Sequence, residues 1–312
     1  MGKHRGWGYV LMVALVGFAG AAMATESAPV ERVGTLQVQR HGDHGRPVIL
    51  IPGLECGPWV WQRTIADLEK NHVVYAVTLA GFDGVPPPAP DAKAGTLLDR
   101  ADASLLKLIE TKHIDKPVLV GHSIGGTLAL RFAGEHAKLL SGVVAVDGLP
   151  VFPNMDRMSA AQRQAAAAQV QAHVGAMTPA QFKAAALPYM QHIGVIDPNE
   201  AARVAPLVGR SDAKATAEYM AADMAADYRP GLKQANVPIM EVVPYYASDA
   251  RQYAAMRKQP VPDAAQKAAY YQSLLANAPK AKVVSVSPSR HFVMLDQPVK
   301  FQQTLDGFLK AL

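Results

Sequence analysis

At 312 residues, half of them hydrophobic, the chain can bury a full core as one large domain or a domain with an insertion, and is no small cross-linked scaffold. Its formal charge of +5 comes from dispersed lysines and arginines with no basic cluster interleaved with aromatics, which argues against nucleic acid as a partner. A single cysteine, Cys56, excludes an internal disulfide.

Residues 1–24 read as an export signal: Lys3 and Arg5 open it, Val10 to Phe18 form an apolar middle, and Ala22-Met23-Ala24 precedes Thr25 as a small-residue cleavage site. The competing reading is an uncleaved anchor, which the many glycines and alanines of this run disfavour. Cleavage removes two positive charges and no acid, so the charge falls from +5 to +3. No other stretch is long and apolar enough to span a membrane. The expected location is therefore periplasmic or extracellular.

Leu36 to Arg40 alternates like a half-buried strand, and Arg46 to Ile51 reads as a fully buried one that ends at the glycine-bounded loop Pro52 to Gly57. Pro58 to Lys70 is expected to be helical, Val73 to Val77 a strand, Thr78 to Pro90 a loop, and Ala92 to Thr111 an amphipathic helix. Pro117 to Val120 is the next strand, followed by a sharp turn and a helix from Thr127 to Ala137; Gly142 to Val146 is another strand, ending at Asp147-Gly148.

Strands and helices in this rhythm predict an α/β fold with a mostly parallel sheet covered on both faces, its ligands at the carboxyl ends of the strands. From Leu149 to about Asn236 the alternation gives way to alanine- and methionine-rich helices, where Met220 and Met224 lie one turn apart. Two readings stand for such stripes, core packing and the lining of a pocket. The sheet pattern resumes at Val237 to Val243, followed by a loop from Pro244 to Arg251, a helix from Ala264 to Ala276, a strand from Lys282 to Val286 and a last helix from Val299 to Leu312. The expected layout is a signal peptide at 1–24, a core from 25–148 and 237–312, and a helical lid at 149–236.

The chemistry centres on Gly121-His122-Ser123-Ile124-Gly125-Gly126, which would thrust Ser123 out of a strand-to-helix turn that glycines make room for. A serine hydroxyl needs a base to take its proton, and the base needs a carboxylate to fix its tautomer. His291, after the last strand, is in position to be the base. Asp249, after the preceding strand, is the first choice for the acid, and Asp147 is the alternative. The other histidines outside the turn read as surface or helix residues, and no metal-ligand cluster or phosphate-cradling glycine loop is present, so neither cofactor nor metal is expected.

These residues make the chain, from Leu36 to Leu312, resemble the α/β-hydrolase superfamily. The turn at Ser123, the Pro52-Gly53-Leu54 loop and the run His291-Phe292-Val293-Met294-Leu295-Asp296-Gln297-Pro298 carry the resemblance. It implies an oxyanion hole made by the backbone amides of Leu54 and Ile124. The chain departs from the pattern in having Pro52-Gly53 where many relatives have His-Gly, with Glu55 beside it. It also has Thr78 to Gly84 in place of an Asp-Leu-Pro-Gly-His-Gly run, and a long loop without the usual glycine before Asp249.

The implied activity is hydrolysis of a small to medium carboxylic ester, lactone or thioester through an acyl-enzyme. Carbon–carbon bond hydrolysis, perhydrolysis and acyl transfer on the same residues remain alternatives, as does a non-catalytic binding protein that kept the fold. Lid methionines with Phe82, Tyr245 and Tyr246 suggest an apolar substrate portion. The sequence does not indicate an oligomeric state.

Overall fold

The computed structural model describes residues 29–91 and 93–312, so the export signal read at 1–24 lies outside the described residues. Eight strands form one sheet: β1 (Val30–Val33), β2 (Leu36–His41), β3 (Arg46–Ile51), β4 (His72–Leu79), β5 (Val118–His122), β6 (Gly142–Val146), β7 (Ile239–Pro244) and β8 (Ala281–Val286). Their spatial order is β1-β2-β4-β3-β5-β6-β7-β8. The pairs β1–β2 and β2–β4 are antiparallel, and every pair from β4–β3 onward is parallel.

Parallel strands covered on both faces must be apolar at every position, and β3 shows why the run Val48 to Ile51 was so legible. Val48 and Leu50 join one core layer with Trp61, Leu68, Phe301 and Leu305, whereas Ile49 and Ile51 join the opposite layer with Leu105, Leu128 and Phe132. Each such side chain contributes about 1.5–3 kcal/mol by leaving water. The first layer is covered by α1 (Gln62–Leu68) and, from the other end of the chain, by α11 (Pro298–Lys310); the second is covered by α2 (Leu97–Thr111) and α3 (Ile124–His136).

Between β6 and β7 the chain inserts α4 (Ala160–Gly175), α5 (Pro179–Tyr189), α6 (Pro198–Val208) and α7 (Ala213–Ala225), the second of them running into a wide turn at Met190–Gly194. After β7 come α8 (Ala247–Arg257) and α9 (Ala264–Leu274), and after β8 the single turn α10 (Val293–Asp296). Among the described residues no helix is long and apolar enough to cross a membrane.

Three local differences from the sequence reading have plain causes. The helix expected from Ala92 begins at Leu97, because Thr96 and Asp99 form a reciprocal capping box that fixes the start there. Strand β1 was not anticipated; only Val33 of its four residues is buried, so it carries no apolar alternation. The loop expected from Pro244 to Arg251 is largely replaced by α8, whose one buried residue, Ala254, leaves no apolar stripe to read.

Candidate active site

Strand β5 ends at His122 and α3 begins at Ile124, which leaves Ser123 alone on the turn with φ +52° and ψ −124°. A non-glycine residue held there costs about 1–3 kcal/mol, so the surroundings must over-determine it. The Ser123 N–H donates to Val146 O at 2.9 Å, and Thr127 N–H donates to Ser123 O at 3.0 Å. Glycine at 125 lets the turn close on β3, since a Cβ there would stand 2.5 Å from Ile51 O. The loop after β3 is pressed on the same turn: a Cβ on Gly53 would lie 2.7 Å from His122 Nδ1 and 3.2 Å from Ser123 Cβ. Neither Leu54 N–H nor Ile124 N–H donates to a described acceptor, and Leu54 shares a cavity wall with Ser123. Two amides without a described acceptor therefore stand next to the serine or on its cavity wall.

His291 follows β8 and its Nδ1 lies 2.6 Å from Asp147 Oδ2. A carboxylate can only accept, so Nδ1 carries the proton and Nε2 is left as the basic nitrogen. Ser123 Oγ makes no hydrogen bond to His291 here, although both line one cavity; contacts of this type commonly tighten when substrate binds.

The acid is where the structure corrects the sequence reading. Asp249 sits in the first turn of α8 and meets Arg290 in a two-pronged ion pair, Nε to Oδ2 at 2.8 Å and Nη2 to Oδ1 at 2.9 Å, instead of reaching His291. Asp147, the alternative, takes that place from the end of β6. Its φ of +49° turns the side chain out of the strand direction, and Gly148 follows because a Cβ there would stand 2.6 Å from Gly126 Cα. Burial alone would raise the Asp147 carboxyl, but the charge of Lys267 and the hydrogen bonds from His291 and Tyr271 outweigh it and hold the carboxyl well below the usual carboxylate range. It is an anion when it faces the imidazole.

Several residues around this pair were not singled out from sequence. Tyr271 Oη donates to Asp147 Oδ1, and Lys267, one turn earlier on α9, donates to Pro244 O and lies over the Tyr271 ring. Their spacing on one helix face was the available signal. His122, inside the serine motif itself, donates from Nε2 to His291 O at 3.1 Å while its ring packs 4.5 Å from the His291 ring. Burial, and next the neighbouring His291, push the His122 ring well below its ordinary value, so it is neutral. Asp296 accepts from Arg290 N–H at 2.7 Å and Ile196 N–H at 2.8 Å, which ties the histidine loop to the insertion.

Beneath Asp147, Glu241 on β7 is completely buried; one of its oxygens accepts from Gly148 N–H at 3.3 Å and the other has no partner. Burial, and next the negative charge of Asp147, push its carboxyl well above the ordinary 4.5, so the folded protein holds a proton that the unfolded chain releases. Folding stability then falls as pH rises above 4.5, by at most about 1.4 kcal/mol per pH unit, until the folded group itself ionises. Glu241→Gln keeps an acceptor for Gly148 without the proton requirement. Calorimetric melting of both proteins is expected to show the variant gaining on the wild type between about pH 5 and pH 8; a constant difference would contradict a protonated Glu241.

Two cavities adjoin at His291. The inner one, about 280 Å³, is lined by Leu54, Ser123, Thr127, Phe152, Tyr189 and Asp223 among others; the outer one, about 460 Å³, holds Tyr245, Tyr246, Lys267 and Arg290, and the two share Asp147, Pro153, Ile193, Tyr271 and His291. Met220 lines the inner cavity whereas Met224 is buried in the packing beneath, so the methionine stripe divides between the two readings. Phe82 does not reach either cavity: it is buried against Tyr219, with ring centres 4.9 Å apart. Glu55, left-handed at φ +62°, has a carboxyl that burial raises to about 7.

Among the described residues one group of possible metal ligands converges, Asp102, Glu135 and His136, but Arg131 already supplies the cation there, 3.1 Å from Glu135 and 3.9 Å from Asp102.

A mostly parallel sheet with antiparallel strands at one edge, a serine at the β5–α3 turn and a histidine after the last strand together define an α/β-hydrolase architecture. The model of the alpha/beta hydrolase family matches residues 48–303, and the chain belongs to that family.

Over 126 residues the chain is 27% identical to the mouse 1-acylglycerol-3-phosphate O-acyltransferase ABHD5, a match that covers 40% of this chain and 36% of that protein. A human (lyso)-N-acylphosphatidylethanolamine lipase is 24% identical over 124 residues, 39% of this chain and 36% of the lipase, so the chain spans little more than a third of these relatives. In fold it is similar to the enol-lactonase of Burkholderia xenovorans LB400, with TM-score 0.67 and 19% identity over 90% of this chain and 100% of that one. The bromoperoxidase of Bacillus anthracis superposes with TM-score 0.70 at 18% identity, over 91% of this chain and 100% of its own.

Proposed function

We propose that the chain is an exported serine hydrolase that cleaves small to medium carboxylic esters, lactones or thioesters through an acyl-enzyme. The observation that carries this reading is the His291–Asp147 pair facing the same cavity as Ser123 and the free amide of Leu54. In the reaction, Ser123 Oγ adds to the carbonyl carbon as His291 Nε2 takes its proton, and the resulting oxyanion is held by the amides of Leu54 and Ile124. Loss of one such donor costs about 100- to 1000-fold in kcat.

His291 then passes the proton to the leaving alcohol or thiol as the C–O or C–S bond breaks. Water, deprotonated by the same nitrogen, adds to the acyl carbon and releases the acid and free Ser123. Asp147 keeps Nδ1 protonated and balances the imidazolium that appears twice in the cycle. A small to medium substrate is supported by the inner cavity of about 280 Å³, just below the roughly 300–1,000 Å³ range of ligand pockets.

Export rests on the charged, apolar and small-residue segments of residues 1–24. One experiment tests both parts. Secreted protein treated with a fluorophosphonate is expected to lose activity on a short-chain ester, to carry one adduct on Ser123 by peptide mass, and to begin at Thr25 by intact mass. Full activity with Ser123 unmodified would sink the nucleophile, and Met1 at the start of the secreted chain would sink signal cleavage.

A further inference from the structure

The inner cavity contains a carboxylate that the proposed hydrolysis does not use. Asp223 is 7% exposed and projects from α7 into the same wall as Ser123 and His291. Helix α7 is fixed where it is by the Asp212 side chain capping Ala215 N–H and by Tyr219 packing on Phe82, and Met220 and Asp223, one turn apart, form its cavity face. Three physical costs fall on this one side chain. It is buried; no described donor or cation meets its carboxylate, and burial alone raises its carboxyl to about 7. It also stands in the last turn of α7, where the backbone dipole disfavours negative charge. A leucine would remove all three, and side chains that break local rules without internal compensation tend to belong to ligand sites.

The compensation is missing from the protein's own wall. The inner cavity is lined by two carboxylates, Asp147 and Asp223, and its one basic side chain, His291, is bonded to Asp147. The cations of the outer cavity are engaged as well, Lys267 with Pro244 O and Arg290 with Asp249. We propose that Asp223 makes this cavity selective for substrates that carry a positively charged amino group close to the scissile bond, and that it turns away carboxylates and phosphates. The proposal rests on the inner cavity being the substrate site; Asp223 takes no part in bond making or breaking. Its role is to hold the ammonium group by a charge-assisted hydrogen bond inside the cavity.

The test uses binding, so it does not depend on turnover. Calorimetry of n-hexylammonium, 1-hexanol and hexanoate is run on wild type and Asp223→Asn near pH 8, where the Asp223 carboxyl is ionised and the amine is charged. The wild type is expected to bind hexylammonium at least tenfold more tightly than hexanol and to bind hexanoate most weakly. Asp223→Asn is expected to bring hexylammonium and hexanol within about threefold of each other. Removal of an uncompensated buried charge leaves the variant at least as stable as wild type, and Asp223→Ser serves as a second variant with the same expectation. Equal binding of hexylammonium and hexanol by the wild type, or a preference that persists in both variants, would overturn the proposal. Failure of the chain to hydrolyse any ester would count against the acyl-enzyme reading and would leave the binding comparison decisive on its own.

Discussion

Asp147→Asn is expected to lower kcat for a short-chain ester by about three to four orders of magnitude, while Asp249→Asn lowers it by less than about tenfold, or ~1.4 kcal/mol of barrier. The Asp147 carboxylate accepts from both His291 Nδ1 and Tyr271 Oη. An asparagine has one acceptor and one donor end. With the amide nitrogen toward His291, the imidazole must place its proton on Nε2 and can no longer take one from Ser123. With the oxygen toward His291 the tautomer survives, but the imidazolium loses its counter-charge in a buried setting. Either arrangement is slow. Asp249 acts only on Arg290, which is also held by Val195 O and stacked on Tyr246, so its loss leaves His291 in place. Stopped-assay kinetics on the two purified variants decide the matter, and a larger loss for Asp249→Asn would return the acid role to α8.

The second large effect is at the nucleophile and base. Ser123→Ala and His291→Ala are each expected to reduce kcat by about a millionfold, and the double variant to lose no more than either alone, because the two groups act as one proton-transfer unit. Residual turnover of roughly 10³- to 10⁴-fold over water should persist from the Leu54 and Ile124 amides. The turn itself tolerates alanine at 123, since the left-handed backbone is fixed by Val146, Thr127 and the surrounding glycines and not by the hydroxyl. Melting temperatures near wild type are therefore expected for Ser123→Ala. Additive losses in the double variant would mean that serine and histidine do not share a proton.

The sheet and the serine turn were readable in the sequence because both are local. Parallel strands buried on two faces leave continuous apolar runs such as Val48 to Ile51, and the serine turn compresses strand, glycines and nucleophile into six residues. The acid was not local. Asp147 and Asp249 each follow a strand that points at the right end of the sheet, and only the three-dimensional course of α8, whose surface shows no apolar period, delivers Asp249 to Arg290. The left-handed Asp147 followed by Gly148 also reads as an ordinary turn. Phe82 was misplaced for a related reason: an aromatic in a glycine-rich loop beside a site looks like a pocket wall until Tyr219 on a distant helix is seen to cover it. The contact of His122 with His291 is not legible because a motif states which residues recur around the serine, not what each one touches.

The wide turn at Met190–Gly194 is stitched to the segment that bears His291, the proposed base. His291 N–H donates to Ile193 O, Phe292 N–H to Gly194 O, Arg290 reaches Val195 O, and Asp296 accepts from Ile196 N–H. With two main-chain bonds and two side-chain bonds joining them, that flank of the insertion cannot hinge outward as an independent flap without dragging the imidazole off Asp147. Movement of that side to admit substrate would therefore also disturb the placement of His291 against Asp147.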